Sequence, residues 1–176
     1  MIERTLVEAG FDRTQIECIA VGLGPGSSTG IRTAIAIAQG WQIGREVAIV
    51  GRSSLAVLAA QLQRTGQHGI VHLVTDAQRR EYHVVTFQIS ATQCEELRPL
   101  RLVAAGEVRA LLERGEAVWG PDLARDFPQA HEAYPTASDL ARLAARAPTG
   151  VEAATLEPIH LRRPDFVKAP PSTLLG

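Results

Sequence analysis

Residues 16–75 alternate between short apolar runs and helical patterns, and that alternation restricts the fold more than any other feature of the chain. Residues 16–22 (IECIAVG), 47–50 (VAIV) and 69–75 (GIVHLVT) read as strands. Residues 31–43 read as a helix with Ile31, Ala34, Ile35, Ala38 and Gln42 on one face. A second helix runs to about residue 64, with Leu55, Leu58, Ala59 and Leu62 facing inward and Ser53 or Ser54 as its cap. Strands separated by helices favour a parallel sheet. The alanines and Gly40 of the first of these helices would let another helix approach closely.

The pattern then changes. Residues 81–89 (EYHVVTFQI) and 97–103 (LRPLRLV) read as extended segments joined by a polar turn near 92–96, and with 69–75 they form a candidate antiparallel meander. Residues 106–114 read as a helix, 117–119 as a short strand, and 138–146 as a helix capped by Ser138. Ile2, Leu6 and Ala9 share one face of a helix that Gly10 ends, since glycine tolerates a left-handed residue there. Pro164, Pro170 and Pro171 mark an irregular tail. No internal repeat interrupts this order, and a mild boundary is expected near 100–105.

Of the 176 residues, 45% are hydrophobic, enough for a packed core. Eighteen Lys+Arg against 19 Asp+Glu give a net charge of −1, without the basic excess of a general nucleic-acid surface. The two cysteines, Cys18 and Cys94, lie in no zinc-binding spacing and suit a reducing compartment. There is no long apolar span and no signal-peptide pattern, so a soluble cytoplasmic protein is expected.

The stretch GLGPGSSTGIR, residues 22–32, joins the first strand to the first long helix. Such a junction can hold an anion, because exposed N–H groups and the positive end of the helix dipole face it. Ser27, Thr29 and Arg32 would assist. A Walker A loop, however, needs Gly-Lys-Ser/Thr where Thr29-Gly30-Ile31 stands. The dinucleotide fingerprint would place its last glycine at Thr29, and strand 47–50 ends without the acidic residue that holds a ribose. Residues 26–30 (GSSTG) also fit G-x-S-x-G, with Ser28 as nucleophile and Asp139 and His160 following as acid and base. Five histidines and 19 carboxylates make that order easy to meet by chance. The plain structural reading is a tight turn whose Ser27 or Thr29 caps the helix.

GPGSSTGIR, followed by AIAIAQGWQIG, a strand and VGRSSLAVLA, resembles the TsaB (YeaZ) family, whose pattern is GPGSFTGLR, a helix, a strand and a Ser-Ser-Leu helix start. Asp76-Ala-Gln-Arg-Arg-Glu81 resembles that family's Asp-Ala-Arg-x-x-Glu turn. Leu156-Glu-Pro-Ile-His-Leu-Arg162 resembles its Glu-Pro-x-Tyr-Leu-Arg ending. The resemblance implies an α/β, actin-like and sugar-kinase-like fold with ribonuclease-H-like lobes and a mixed sheet. On this chain the N-terminal lobe would cover 1–103 and a smaller C-terminal lobe and tail 104–176.

The resemblance further implies a non-catalytic dimerisation and scaffold subunit, with no cofactor or metal of its own. It would pair with a TsaD-type catalytic subunit and a TsaE-type ATPase to add threonylcarbamoyl to the tRNA adenosine beside the anticodon, touching tRNA only through the complex. Older naming placed the family among M22 glycopeptidases, but no protease constellation is visible here. A serine hydrolase using Ser28 and an ATP-binding member of the same fold are the alternatives. The family's partner surface uses two N-terminal-lobe helices, here residues 1–10 and 30–44, with Arg32, Ile35, Ala36 and Gln39 as carried-over contacts. Ile35 fits the home core equally well. Gly24, Gly26, Ser27, Thr29 and Gly30 form the turn that launches the second of these helices.

The chain departs from the family pattern at four positions. Ser28 stands where Phe is usual, Gln78 where Arg is, and His83 and His160 where Tyr is common. Family members also begin with a β-hairpin and a third strand, whereas Met1 here falls inside the helix that follows them. The N-terminal lobe is therefore expected to be incomplete, with strand 16–22 keeping an unpaired edge that favours self-association or a rearranged sheet edge.

Overall fold

The computed structural model describes residues 2–146 and 155–159; His160 and the proline-marked tail lie outside the described residues. The chain opens with α1 (Ile2–Ala9), none of whose residues is buried. Gly10, at φ +72°, ends it as expected. The Gly10 N–H donates to the Val7 carbonyl at 3.1 Å and the Phe11 N–H to the Leu6 carbonyl at 3.0 Å, the paired bonds of a Schellman stop.

β1 (Cys18–Gly22), α2 (Ser28–Gly44) and β2 (Ala48–Arg52) follow. β1 and β2 pair in parallel, from Cys18 opposite Ala48 to Gly22 opposite Arg52. The inward stripe of α2 is the one its spacing predicts. Ile31, Ile35 and Ala38 pack with Val21, Val47 and Ile49 against one face of the pair. Gln42 sits at the stripe's end and donates to the Val47 carbonyl at 3.2 Å. α3 (Ser54–Arg64) is capped by Ser53, which accepts from the Ala56 N–H at 3.5 Å.

β3 (Gly69–Asp76) does not join β1 and β2 in the parallel sheet that the strand–helix alternation favours. It becomes the centre of a second sheet with β4 (Glu81–Ile89), β5 (Cys94–Ala104), β6 (Ala117–Gly120) and β7 (His131–Glu132), in the order β5-β4-β3-β6-β7. Val71 to Thr75 on β3 are all buried, so the strand is covered on both faces. α3 supplies one cover through Leu55, Leu58 and Leu62 over Val71, Leu73, Val85 and Phe87. α4 (Ala105–Glu113) supplies the other through Val108 and Leu111 over Val74, Val84 and Val118. The buried His72 on this side is satisfied, with Nδ1 3.0 Å from Thr86 Oγ1 and Nε2 2.5 Å from Glu116 Oε2.

The antiparallel meander β3-β4-β5 matches expectation, although its second turn falls at Ser90–Gln93, earlier than predicted, and β5 begins at Cys94. The change of sheet falls between α3 and β3. Residue 103 lies within β5, inside the five-stranded sheet.

The last described elements return to the first sheet. α5 (Ala137–Ala145) lies against α3, β1 and β2. Its cap is Thr136 rather than Ser138: the Asp139 N–H donates to Thr136 Oγ1 at 3.1 Å. Asp139, 3% exposed, accepts from Arg64 Nε at 2.8 Å and Nη2 at 3.2 Å, tying α5 to α3. Leu156 completes the β1–β2 core, and the Ile159 N–H donates to the Leu23 carbonyl at 2.8 Å.

Candidate functional site

The glycine-rich stretch forms a tight strand-to-helix turn. Leu23 still pairs with β2, its N–H donating to the Arg52 carbonyl at 2.8 Å. Gly24 then turns the chain at φ +91°, where a Cβ would lie 2.7 Å from Ile31 Cδ1. This is the glycine the turn requires. A Cβ at Gly30 would meet Ser27 at ordinary distance, and one at Gly26 would meet nothing within 4 Å. Ser27 is the cap, accepting from the Gly30 N–H at 3.3 Å. Ser28 and Thr29 are exposed in the first turn of α2.

That turn forms one wall of a cleft of about 690 Å³, a size ordinary for small-molecule sites. The floor is the end of the second sheet. Thr75 on β3 pairs with His83 on β4, which pairs with Leu102 on β5, and all three face the cleft. Pro121 and Asp122 after β6 and the Asp76–Gln78 turn close the opposite side. The Asp-Ala-Gln-Arg-Arg-Glu motif is thus a hairpin turn beside the cleft. Asp76 Oδ1 accepts from the Gln78 N–H at 2.7 Å, and Gln78, Arg79 and Arg80 all adopt left-handed φ values between 57° and 64°. Three such non-glycine residues in a row are sterically costly.

The electrostatics of this space are acidic. Asp76 and Asp122 line the cleft, and among the described residues its lining holds no lysine or arginine. A second hollow shares Thr75, Asp76, Pro121 and Asp122 with it and adds Asp126, Glu132 and Arg125. The Tyr134 hydroxyl donates to Asp122 Oδ1 at 2.8 Å, and that bond to the carboxylate pushes the phenol up to about 12. Burial, followed by the hydrogen bond to Asp126, raises Tyr82 above its usual range.

The nucleophile arrangement is not assembled. Ser28 borders the cleft, but Asp139 is held by Arg64 and Thr136 in the α3–α5 contact. His160 lies outside the described residues. Among the described residues, no three His, Cys, Asp or Glu side chains converge to hold a metal ion.

The carried-over partner residues divide by their position on α2. Arg32 and Ala36 are exposed and Gln39 is half-buried, whereas Ile35, 6% exposed, points into the home core. This corrects the expectation for Ile35: it shares the inward stripe with Ile31 and Ala38, so it is a packing residue. Sequence reading missed the outward Ile37 and Ile43, which are 42% and 89% exposed. Their signal was available, since each lies off the predicted inward stripe. Thr75 and Leu102 were also missed, because the row they form with His83 exists only once three strands are in register, and Asp122 was missed because it reaches the cleft from the segment after β6.

The family model described as TsaD, tRNA N6-adenosine threonylcarbamoyltransferase, matches residues 1–132. Among curated proteins, the tRNA threonylcarbamoyladenosine biosynthesis protein TsaB of Escherichia coli (strain K12) is 35% identical over 88 residues. The TsaB protein of Haemophilus influenzae is 32% identical over 83 residues. These matches cover 50% and 47% of this chain but only 38% and 35% of those relatives' lengths. A solved structure described as an uncharacterized protein with similarity to peptidase YEAZ from Pseudomonas aeruginosa superposes with a TM-score of 0.74 at 27% identity, covering 92% of this chain and 81% of that one. YeaZ from the same organism gives 0.72 at 26% identity, with 92% and 82% covered. The architecture is the actin-like fold with mixed-sheet lobes that these structures share.

Proposed function

The chain belongs to the TsaD (tRNA N6-adenosine threonylcarbamoyltransferase) family, and from that premise and its similarity to TsaB and YeaZ proteins we propose that it is a non-catalytic scaffold subunit of the machinery that adds threonylcarbamoyl to tRNA. It pairs with a TsaD-type catalytic subunit, works with a TsaE-type ATPase, and meets tRNA only through that complex in the cytoplasm. No described helix is long and apolar enough to cross a membrane.

The observation that carries the scaffold reading is the outer surface of the first two helices. α1 buries nothing, although Ile2 and Val7 are apolar, and α2 leaves Ile37 and Ile43 facing outward beside Arg32 and Ala36. Exposed apolar side chains on two helices suit contact with another chain. Self-association is part of the proposal: β1 is an uncharged strand that, among the described residues, pairs on one side only.

Co-purification with a co-expressed TsaD-type subunit tests this. Ala36→Glu places a charge on the exposed surface without touching the core and is expected to abolish retention while leaving the circular dichroism spectrum unchanged. Retention of both Ala36→Glu and Ile37→Asp at wild-type levels would put the interface elsewhere.

A further inference from the structure

The surface made by α1 and α2 is held together by two arginines that are not part of its apolar face. We propose that Arg13 and Arg45 are positioning residues of the partner surface, setting where α1 lies on α2; their role toward a partner rests on the scaffold reading. α1 buries no side chain, so interdigitated packing does not set its angle to α2. The turn that follows α1 is held by its own side chains. Asp12 Oδ1 accepts from the Thr14 N–H at 2.7 Å, and the Asp12 N–H donates to Gln15 Oε1 at 2.7 Å, a reciprocal capping box. From this fixed turn the Arg13 side chain reaches both helices. Its Nη2 donates to Glu3 Oε1 on α1, and its guanidinium lies over the Trp41 ring of α2, 5.5 Å from the centroid.

Arg45 acts on the same turn from the other side. It stands at the C-cap of α2, one helical turn after Trp41, where the negative end of the helix dipole favours a cation. Its Nη1 donates to the Arg13 carbonyl and its Nη2 to the Thr14 carbonyl at 2.8 Å. One guanidinium thus fixes the turn's backbone, and the other carries that turn to both helices. Trp41 packs on the β1–β2 core, so the connection runs from that core out to α1. A surface arginine commonly pairs with one neighbour on its own helix, as Arg4 does with Glu8. Arg13 instead joins α1, the turn and α2. Its pair with Glu3 is exposed on both sides, 62% and 63%, so salt screens it, and its loss should loosen α1 without unfolding the chain.

Hydrogen exchange of the whole chain, read segment by segment by mass spectrometry, tests this. Protected α1 amides are expected in the wild-type chain. Arg13→Gln should quicken their exchange about fivefold and Arg45→Gln about tenfold, with β1 and β2 unchanged. Salt raised to about 0.5 M should quicken α1 in the wild-type chain and have little effect in Arg13→Gln, whereas Arg13→Lys should stay near wild type. The swap Glu3→Arg with Arg13→Glu restores the pair without the cation over Trp41 and should recover part of the loss. Retention by a co-expressed TsaD-type subunit should fall about fivefold in Arg13→Gln and return in Arg13→Lys. Unprotected α1 amides in the wild-type chain, or α1 exchange unchanged in both Gln variants, would overturn the proposal. So would exchange that quickens equally in β1, or retention that holds while α1 loosens. Exchange needs no partner, so a wild-type chain that holds α1 through Arg13 yet fails to retain the TsaD-type subunit would refute the scaffold reading, and with it the partner role of these arginines, while their placement of α1 stands.

Discussion

The five-stranded sheet buries both faces with helices that adjoin its own strands in the chain: α3 precedes β3 and α4 joins β5 to β6. The two-stranded sheet has a neighbouring helix, α2, for one face only. Its other cover comes from α5, and its core closes with Leu156, both distant in sequence. One region is thus self-contained and the other is assembled from borrowed parts. The self-contained region carries the cleft floor. The borrowed one presents the outward helices and an edge of β1 that, among the described residues, has no strand beside it.

A glycine in each sheet tests this contrast most directly. At Gly120 on β6 a Cβ would lie 1.8 Å from the Val74 carbonyl oxygen, so backbone must move. Gly120→Ala is expected to cost about 3 kcal/mol or more, at the upper end of overpacking effects, read as a lower urea midpoint. An unchanged midpoint would show that the β3–β6 contact is looser than its geometry. The second largest effect is expected from Leu156→Ala, at about 2 kcal/mol because the site lies at the margin of the core. Hydrogen exchange should then quicken in β1 and β2 and stay slow in β3 and β4. Equal loss in both sheets would mean they unfold as one unit.

Asp139 joins the borrowed cover to α3. Its hydrogen bond with Arg64 is the main reason its carboxyl is held below the ordinary 3.8, ahead of opposing burial and the Thr136 bond. Because the folded value is the lower one, the stabilisation is present above about pH 4 and fades as pH falls through the folded value. Asp139→Asn should cost about 1 kcal/mol at pH 7, a modest figure because Arg64 is half exposed and water screens it. Urea midpoints of the two proteins should draw together below pH 4. A gap that persists into acid would assign the loss to packing instead of charge. The smallest effect is expected at Gly51 on β2, where a Cβ meets the ends of Leu23 and Leu156 at 2.6 and 2.9 Å. Both side chains can rotate away, so Gly51→Ala should cost under about 1 kcal/mol and leave Gly120→Ala clearly worse.

Local features were legible in the sequence because local chemistry decides them. Gly10 ends α1, Ser27 and Ser53 cap α2 and α3, and the inward stripe of α2 follows its apolar spacing. The meander was legible because β3, β4 and β5 are separated by short polar turns. The splitting of the sheet was not, because a buried strand reads the same in either sheet and only the placement of α4 decides. The cap of α5 was misplaced by two residues because Thr136 and Ser138 offer similar oxygens, and the backbone geometry selects between them. The row of Thr75, His83 and Leu102 needed strand register, which no single segment carries. Ile35 shows a different limit: apolar periodicity finds the faces of a helix, but assigning an interface also requires knowing which face the home core takes.

The return of the chain to β1 has a consequence for biosynthesis. Leu156 is made about 100 residues after β2, and at ~5–20 residues per second the nascent β1–β2 unit waits roughly 5–20 seconds for the residue that closes its core. During that interval β3 and β4 can already pair. The order of emergence therefore makes the N-terminal segment the part of the newborn chain most dependent on chaperones, and the last to become resistant to proteases.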